Sequence, residues 1–332
     1  NGTSDKLNVK LNGATNATID ADTGFESVEI NTTAASTLTS IVAPNATALT
    51  LSGSATLELA ANSVDTFSDY TVTNTGKVTY NGISSVKTFV ATSNTDGIVG
   101  KVLVTTDTLD KGTTSNVLKL ASTGSLVQTG TGADNINVDT TALFSSNSAV
   151  IKLGAGNDTL ALTAGNSSEY VYGEAGDDLI YVAGGTTSTD LIDGGEGSDT
   201  LAFASNTTNA LIAKSIENVK VKTATGASTT ANFTSIDSSV AIADSGVGAV
   251  TFGNLLKGST YTSTVAKEAT TGDITLNFKS GEAATINVDL QKGTSDSITL
   301  TNVADATVTL GAASNVATGI SLDKTATKLT VN

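Results

Sequence analysis

Four copies of one nine-residue phrase occupy the middle of the chain, and few folds accommodate them. They read Thr129-Gly130-Thr131-Gly132-Ala133-Asp134-Asn135-Ile136-Asn137, Leu153-Gly154-Ala155-Gly156-Asn157-Asp158-Thr159-Leu160-Ala161, Gly173-Glu174-Ala175-Gly176-Asp177-Asp178-Leu179-Ile180-Tyr181 and Gly194-Gly195-Glu196-Gly197-Ser198-Asp199-Thr200-Leu201-Ala202. The shared template is G-G-x-G-x-D-x-U-x, where U is Ile136, Leu160, Ile180 or Leu201. Glycine enters φ > 0 without steric cost, so the first half of each phrase makes a tight turn. The second half is a short strand with alternating side chains, which directs U inward. A turn and a strand repeated in this way form a β-solenoid, here a parallel β-roll.

The spacing favours stacking. The aspartates are 24 (158 − 134), 20 (178 − 158) and 21 (199 − 178) residues apart. Two nonapeptides make a coil of about 18 residues, so each interval holds one coil and a short insertion. Weaker phrases fill some gaps in frame: residues 164–172 place Glu169 at the aspartate position, and residues 185–193 place Asp190 there. The good phrases are therefore expected on one edge of the roll and the poor ones opposite.

A glycine turn points backbone carbonyls at a common centre, and an aspartate adds a hard anionic oxygen. Calcium takes roughly six to eight such oxygens in flexible geometry. The expected ligands are Asp134, Asp158, Asp178 and Asp199. Carbonyls come from the turns at Gly130, Gly132, Gly154, Gly156, Gly173, Gly176, Gly195 and Gly197, and Asn157, Asp177 and Asp190 are further oxygen donors. Four stacked turns leave three gaps, so about three calcium ions are expected. Ordinary Gly-Asp turns in a polar β protein would explain one such phrase. Four copies at near-constant spacing, each with its apolar residue in place, favour calcium. Thr129, Leu153 and Glu174 depart from the template, and the first copy is the weakest. No third glycine or helical pattern follows Gly154-Ala155-Gly156, which excludes a dinucleotide-binding turn.

Composition narrows the function. The chain has 332 residues, lacks His, Cys, Met and Trp, and takes all 17 of its basic residues from Lys. Absent cysteine removes disulfides, and metal ions staple some secreted chains instead. Calcium sites of modest affinity, about 10⁻⁴–10⁻³ M, suit extracellular modules. A formal net charge of −15 repels phosphates and attracts divalent cations, so no nucleic-acid partner is expected. No apolar run spans a bilayer. The start at Asn1 without a signal peptide reads as a fragment or a processed product.

The flanks repeat as well. Gly2-Thr3-Ser4-Asp5-Lys6-Leu7-Asn8-Val9 matches Gly293-Thr294-Ser295-Asp296-Ser297-Ile298-Thr299-Leu300, and 112–120 is a looser copy. An S-D-x-L strand followed by a φ-E-x-V element, φ being apolar, occurs at 4–30 and again at 198–221. Such repetition suggests a solenoid or tandem array. One helix candidate is present, Asn209 to Ile216, through Ala210, Leu211, Ala213 and Ile216. Three zones follow: a β-rich array over 1–125, the calcium-binding roll over 126–204 and a second β-rich array over 205–332.

Taken together, the calcium phrases, the S-D-x-L strands, the φ-E-x-V elements and the Cys-free, Thr/Ala/Asn-rich composition resemble an RTX-type surface-layer (S-layer) protein of Gram-negative bacteria. The calcium phrases cover about a quarter of the chain and carry most of the resemblance. It implies type I secretion, folding outside the cell on calcium, and self-assembly into a two-dimensional lattice on the cell surface. In such proteins, anchoring to lipopolysaccharide belongs to a separate N-terminal region, which nothing in this chain matches.

An enzyme is not expected. Acid-base and nucleophilic catalysis lose their usual histidine and cysteine, and a zinc-protease motif needs two histidines. Carboxylate pairs remain, but calcium or solvated strand faces account for the best-placed ones. The competing reading is a calcium-dependent adhesin, or the carrier roll of another type I secreted protein. Such a protein has its catalytic domain upstream, whereas β arrays flank the phrases on both sides here. Asp5, Asp65, Asp69 and Asp296 are further candidate ligands, and Tyr170, Tyr172 and Tyr181 are expected to cap the apolar core.

Overall fold

The computed structural model describes residues 4–21, 23–60, 67–80, 83–91, 93–100, 118–120, 125–141, 146–183, 185–203, 208–224, 226–265, 272–279, 284–290, 297–310, 319–323 and 326–332. Every regular element among them is a β-strand, and the strands wind a parallel β-solenoid. The contacts divide the chain into one unit of 1–105 with 111–178 and another of 106–110 with 179–332.

In the first unit the chain alternates between two parallel sheets. One contains Lys6–Asn12, Ser27–Ala34, Ala48–Gly53, Asp69–Val72, Thr88–Val90, Ser125–Gln128, Ser148–Lys152 and Ser168–Tyr172, each hydrogen-bonded to the next. The other contains Ala17–Asp20, Ser36–Val42, Leu57–Leu59, Val78–Tyr80, Ile98–Gly100, Asn135–Asp139 and Thr159–Thr163. One coil takes 21 residues from Lys6 to Ser27, 19 from Asp69 to Thr88 and 24 from Ser125 to Ala149. The step from Thr88 to Leu126 takes 38 residues instead. There, Asn135–Asp139 pairs both with Ile98–Gly100, through Val99, and with Leu118–Leu120, through Leu118 and Lys119. Two short strands thus share one rung.

Alternation explains why these segments are strands. In Ser27–Ala34, Val28 and Ile30 are fully buried while Glu29 and Asn31 between them are half-buried. Parallel in-register stacking puts like residues above one another, so apolar columns such as Ile136–Leu160 and Val138–Leu162 run through the interior. Phe67, Tyr70, Phe89 and Tyr80 fill it between residues 67 and 89, with ring centroids 6.0–6.4 Å apart.

The second unit follows the same plan. Leu191–Asp193, Thr208–Lys214, Ser228–Ile236, Ala249–Leu255, Ile274–Phe278, Ser297–Thr301 and Gly319–Leu322 form one parallel sheet. Leu179–Val182, Thr200–Phe203, Asn218–Val221, Ala241–Asp244, Thr260–Ser263, Ala284–Leu290, Val303–Leu310 and Lys328–Val331 form the other. The helix expected from Asn209 to Ile216 is a strand, Thr208–Lys214, with Asn209, Leu211 and Ala213 buried and the residues between them more exposed. Its short apolar run fits either period, and pairing on both sides decides for the strand. Among the described residues no helix is long and apolar enough to cross a membrane.

Candidate metal centre

The glycine phrases form the turns that lead from one sheet to the other. In copies two to four the second and fourth template positions take the left-handed conformation: Gly154 (φ 95°), Gly156 (129°), Glu174 (75°), Gly176 (134°), Gly195 (101°) and Gly197 (131°). Glu174 adopts it despite its side chain, so the turn survives the loss of that glycine. In the first copy neither Gly130 nor Gly132 adopts it, which marks that loop as different in shape as well as in sequence.

In the first unit the loops stack closely. A Cβ on Gly154 would lie 1.9 Å from the Gly130 carbonyl oxygen, and one on Gly176 would lie 1.9 Å from that of Gly156. Ala155 N–H donates to Gly130 O at 2.9 Å and Ala175 N–H to Gly154 O at 3.0 Å. Gly173, buried, opens the third turn.

The aspartates form a ladder along this edge. Asp134 N–H donates to Asp158 Oδ1 at 2.7 Å, and Asp158 N–H donates to Asp178 Oδ1 at 2.8 Å. Ile98 N–H donates to Asp134 Oδ1 at the start of the ladder. All three aspartates are 1–2% exposed. One oxygen of each is thus consumed by the backbone, and Asp134 Oδ2 and Asp158 Oδ2 are buried with no hydrogen-bond partner. Burial pushes the Asp134 carboxyl up to about 6, opposed chiefly by the Ile98 N–H. Burial likewise pushes Asp158 up to about 8, opposed by the Asp134 N–H and aided by the charges of Asp134 and Asp178. No lysine among the described residues pairs with either. A buried carboxylate without a counter-charge either takes up a proton or holds a cation.

These residues fit a hard divalent cation through the orphaned carboxylate oxygens and the carbonyl-lined turns, since calcium accepts both donor types. Carboxylates alone do not make the site, because no three acidic side chains among the described residues converge as a metal cluster.

The other expected ligands divide. Asn157 Oδ1 accepts the Asp177 N–H at 3.0 Å, and both residues are exposed on the outer rim of the same edge. Asp190 lies before the first-sheet strand Leu191–Asp193, the edge expected for weak phrases, where its two oxygens accept the Thr187 N–H (2.7 Å) and hydroxyl (2.9 Å). That is a local turn bond. Glu169 is buried within Ser168–Tyr172, where it accepts the Thr140 hydroxyl at 2.8 Å. In the second unit Asp199 is fully buried, its N–H donates to Glu217 Oε2 at 2.8 Å, and Gly194 lies against both its own carboxylate and Ser215 O.

Asp69 accepts the hydroxyls of Thr88 and Ser68, each at 2.7 Å, and Asp5 N–H donates to Glu26 Oε2 at 2.6 Å. Asp65 and Asp296 lie outside the described residues, as do Gly2, Thr3 and residues 112–117 and 293–295 of the flanking repeats. Tyr170 and Tyr172 do not cap the core. They alternate with buried Val171 on the outer face, where Lys152 Nζ sits 5.9 Å above the Tyr172 ring. Tyr181 shares an outward column with Ala202 and is buried there.

Two features escaped the sequence reading. The glutamate of each φ-E-x-V element accepts the backbone N–H of the S-D aspartate one coil earlier: Glu26 for Asp5 and Glu217 for Asp199. Buried Asn74 and Asn94 form a ladder of their own, signalled by Asn-Thr pairs 20 residues apart (94 − 74). No protein-family model, curated protein or solved structure matches the chain.

Proposed function

We propose that this chain is a calcium-dependent structural protein of a bacterial cell surface, secreted and self-assembling in the manner of RTX-bearing surface-layer proteins, and without catalytic activity. The observation that carries the reading is the aspartate ladder of the first unit, whose Asp134 Oδ2 and Asp158 Oδ2 are buried without partner or counter-charge. Asp134, Asp158 and Asp178, with the carbonyls of the turns at Gly130, Gly154 and Gly156, would hold the cation. Asp199 and the turn at Gly195 and Gly197 are the corresponding groups of the second unit. When bound, calcium supplies the positive charge that these desolvated carboxylates lack.

Asp134 and Asp158 each hold a backbone N–H of a neighbouring coil through one oxygen and would present the other to the site. Ligand binding and coil stacking are therefore one event, and binding energy becomes folding energy. The reading puts the chain outside the cell, where free calcium reaches the level such sites need. A chain without histidine, cysteine or arginine, built of stacked β coils throughout its described length, suits a scaffold.

The test is a calcium titration followed by circular dichroism, comparing the wild type with an Asp158→Ala/Asp178→Ala variant. The midpoint is expected to rise at least ~10-fold in calcium concentration, since losing bonds to charged groups costs about 1.5–3 kcal/mol each. An unchanged midpoint removes both residues from the site. Electron microscopy with and without calcium tests the lattice: sheets are expected only with the ion.

A further inference from the structure

The turn edge of the first unit is built with two chemistries. Ahead of Asp134 it is held by Asn74 and Asn94, both fully buried. Asn94 Nδ2 donates to Asn74 O and Gly76 O, each at 2.8 Å, and its Oδ1 accepts the Gly97 N–H at 2.8 Å. Asn74 Nδ2 donates to Ala55 O at 2.8 Å, and its Oδ1 alone is left unpaired. An amide carries donors and acceptors together and no charge, so these coils close on themselves without an ion. A carboxylate offers only acceptors, so the ladder after Asn94 stacks charge on charge. The two chemistries meet where Thr131 N–H donates to Asn94 O at 3.0 Å and Ile98 N–H to Asp134 Oδ1.

The interior changes independently along the same stretch. Phe67, Tyr70, Tyr80 and Phe89, each at most 2% exposed, pack together in the asparagine coils. The aspartate coils enclose Ile136, Val138, Ile151, Leu160, Leu162 and Val171. Large aromatic side chains bury more surface per residue than aliphatic ones, so the coils with neutral edges also have the heavier core.

We propose that the first unit is divided in stability at this junction. The coils of residues 67–98 stay folded without divalent cation, and the coils of residues 129–178 fold only with it. The division rests on the calcium reading above. It makes the asparagine coils a standing template, whose last rung presents Ile98 N–H and Asn94 O to the segment that calcium closes.

Hydrogen exchange read by mass spectrometry on the whole chain, in calcium and in excess chelator, tests this. Amides of Asp69–Val72, Val78–Tyr80 and Thr88–Val90 are expected to stay protected in both. Amides of Asn135–Asp139, Ser148–Lys152 and Thr159–Thr163 are expected to lose protection in chelator. Joint loss in both sets overturns the division and leaves calcium-dependent folding standing. Unchanged protection in both, with no heat of calcium binding by calorimetry, overturns the calcium reading and the division with it.

Discussion

At the scale of single residues, the glycines and aspartates of the turns do different work. At Gly154 and Gly176 the left-handed turn coincides with an approach of the neighbouring coil too close for a side chain. Gly176 combines φ 134° with the Gly156 carbonyl 1.9 Å from where a Cβ would stand. Gly24 has open space around it and no positive φ. Gly176→Ala is expected to lower stability in saturating calcium by at least ~2 kcal/mol, backbone strain and clash together. Gly24→Ala is expected to change it by less than ~1 kcal/mol. Urea unfolding measures both, and equal midpoints would contradict the close stacking. The aspartates were legible in the sequence because the template fixes which residue precedes each strand. That each Oδ1 would be used by the backbone of the preceding coil was not legible, since the bonds join residues 20, 24 and 36 positions apart. The asparagine ladder was missed for a related reason. Its two Asn-Thr pairs are ordinary in a chain rich in both residues, and only stacking brings Asn94 Nδ2 to the carbonyls of Asn74 and Gly76.

At the scale of elements, alternation was enough to read most strands, and it failed where an apolar run was dense. In Thr208–Lys214 the sequence T-N-A-L-I-A-K fits one helical turn as well as a strand. The neighbouring strands Leu191–Asp193 and Ser228–Ile236 offer parallel edges, and a helix would leave their N–H and C=O groups unpaired. The strand assigns opposite fates to adjacent residues. Leu211 is fully buried, so Leu211→Ala is expected to cost about 2–5 kcal/mol. Ile212 lies half-buried on the outer face, and Ile212→Ala is expected to cost under ~1 kcal/mol. Thermal or urea unfolding distinguishes them, and similar losses for the two would argue against alternation in this segment. The coil length was legible in the same qualified way. Nonapeptide pairs suggested about 18 residues plus an insertion, and the coils need between 18 (Thr200 to Asn218) and 27 (Tyr261 to Val288) where one coil separates the strands. The shared rung of Ile98–Gly100 and Leu118–Leu120 had no signal, because the two look like unrelated short strands.

At the scale of the molecule, the charge balance and the sheet edges set how chains meet one another. A net charge of −15 keeps copies apart at low ionic strength, and divalent cations screen that repulsion. Exposed strand edges pair readily with other chains, so association should grow once that repulsion falls. Light scattering during a calcium titration is expected to show masses above that of one chain at millimolar calcium and a single chain in chelator. A wild type that stays monomeric throughout would remove self-assembly from the reading, and with it the surface lattice, while the calcium ladder of the first unit would still have to be judged by its own titration.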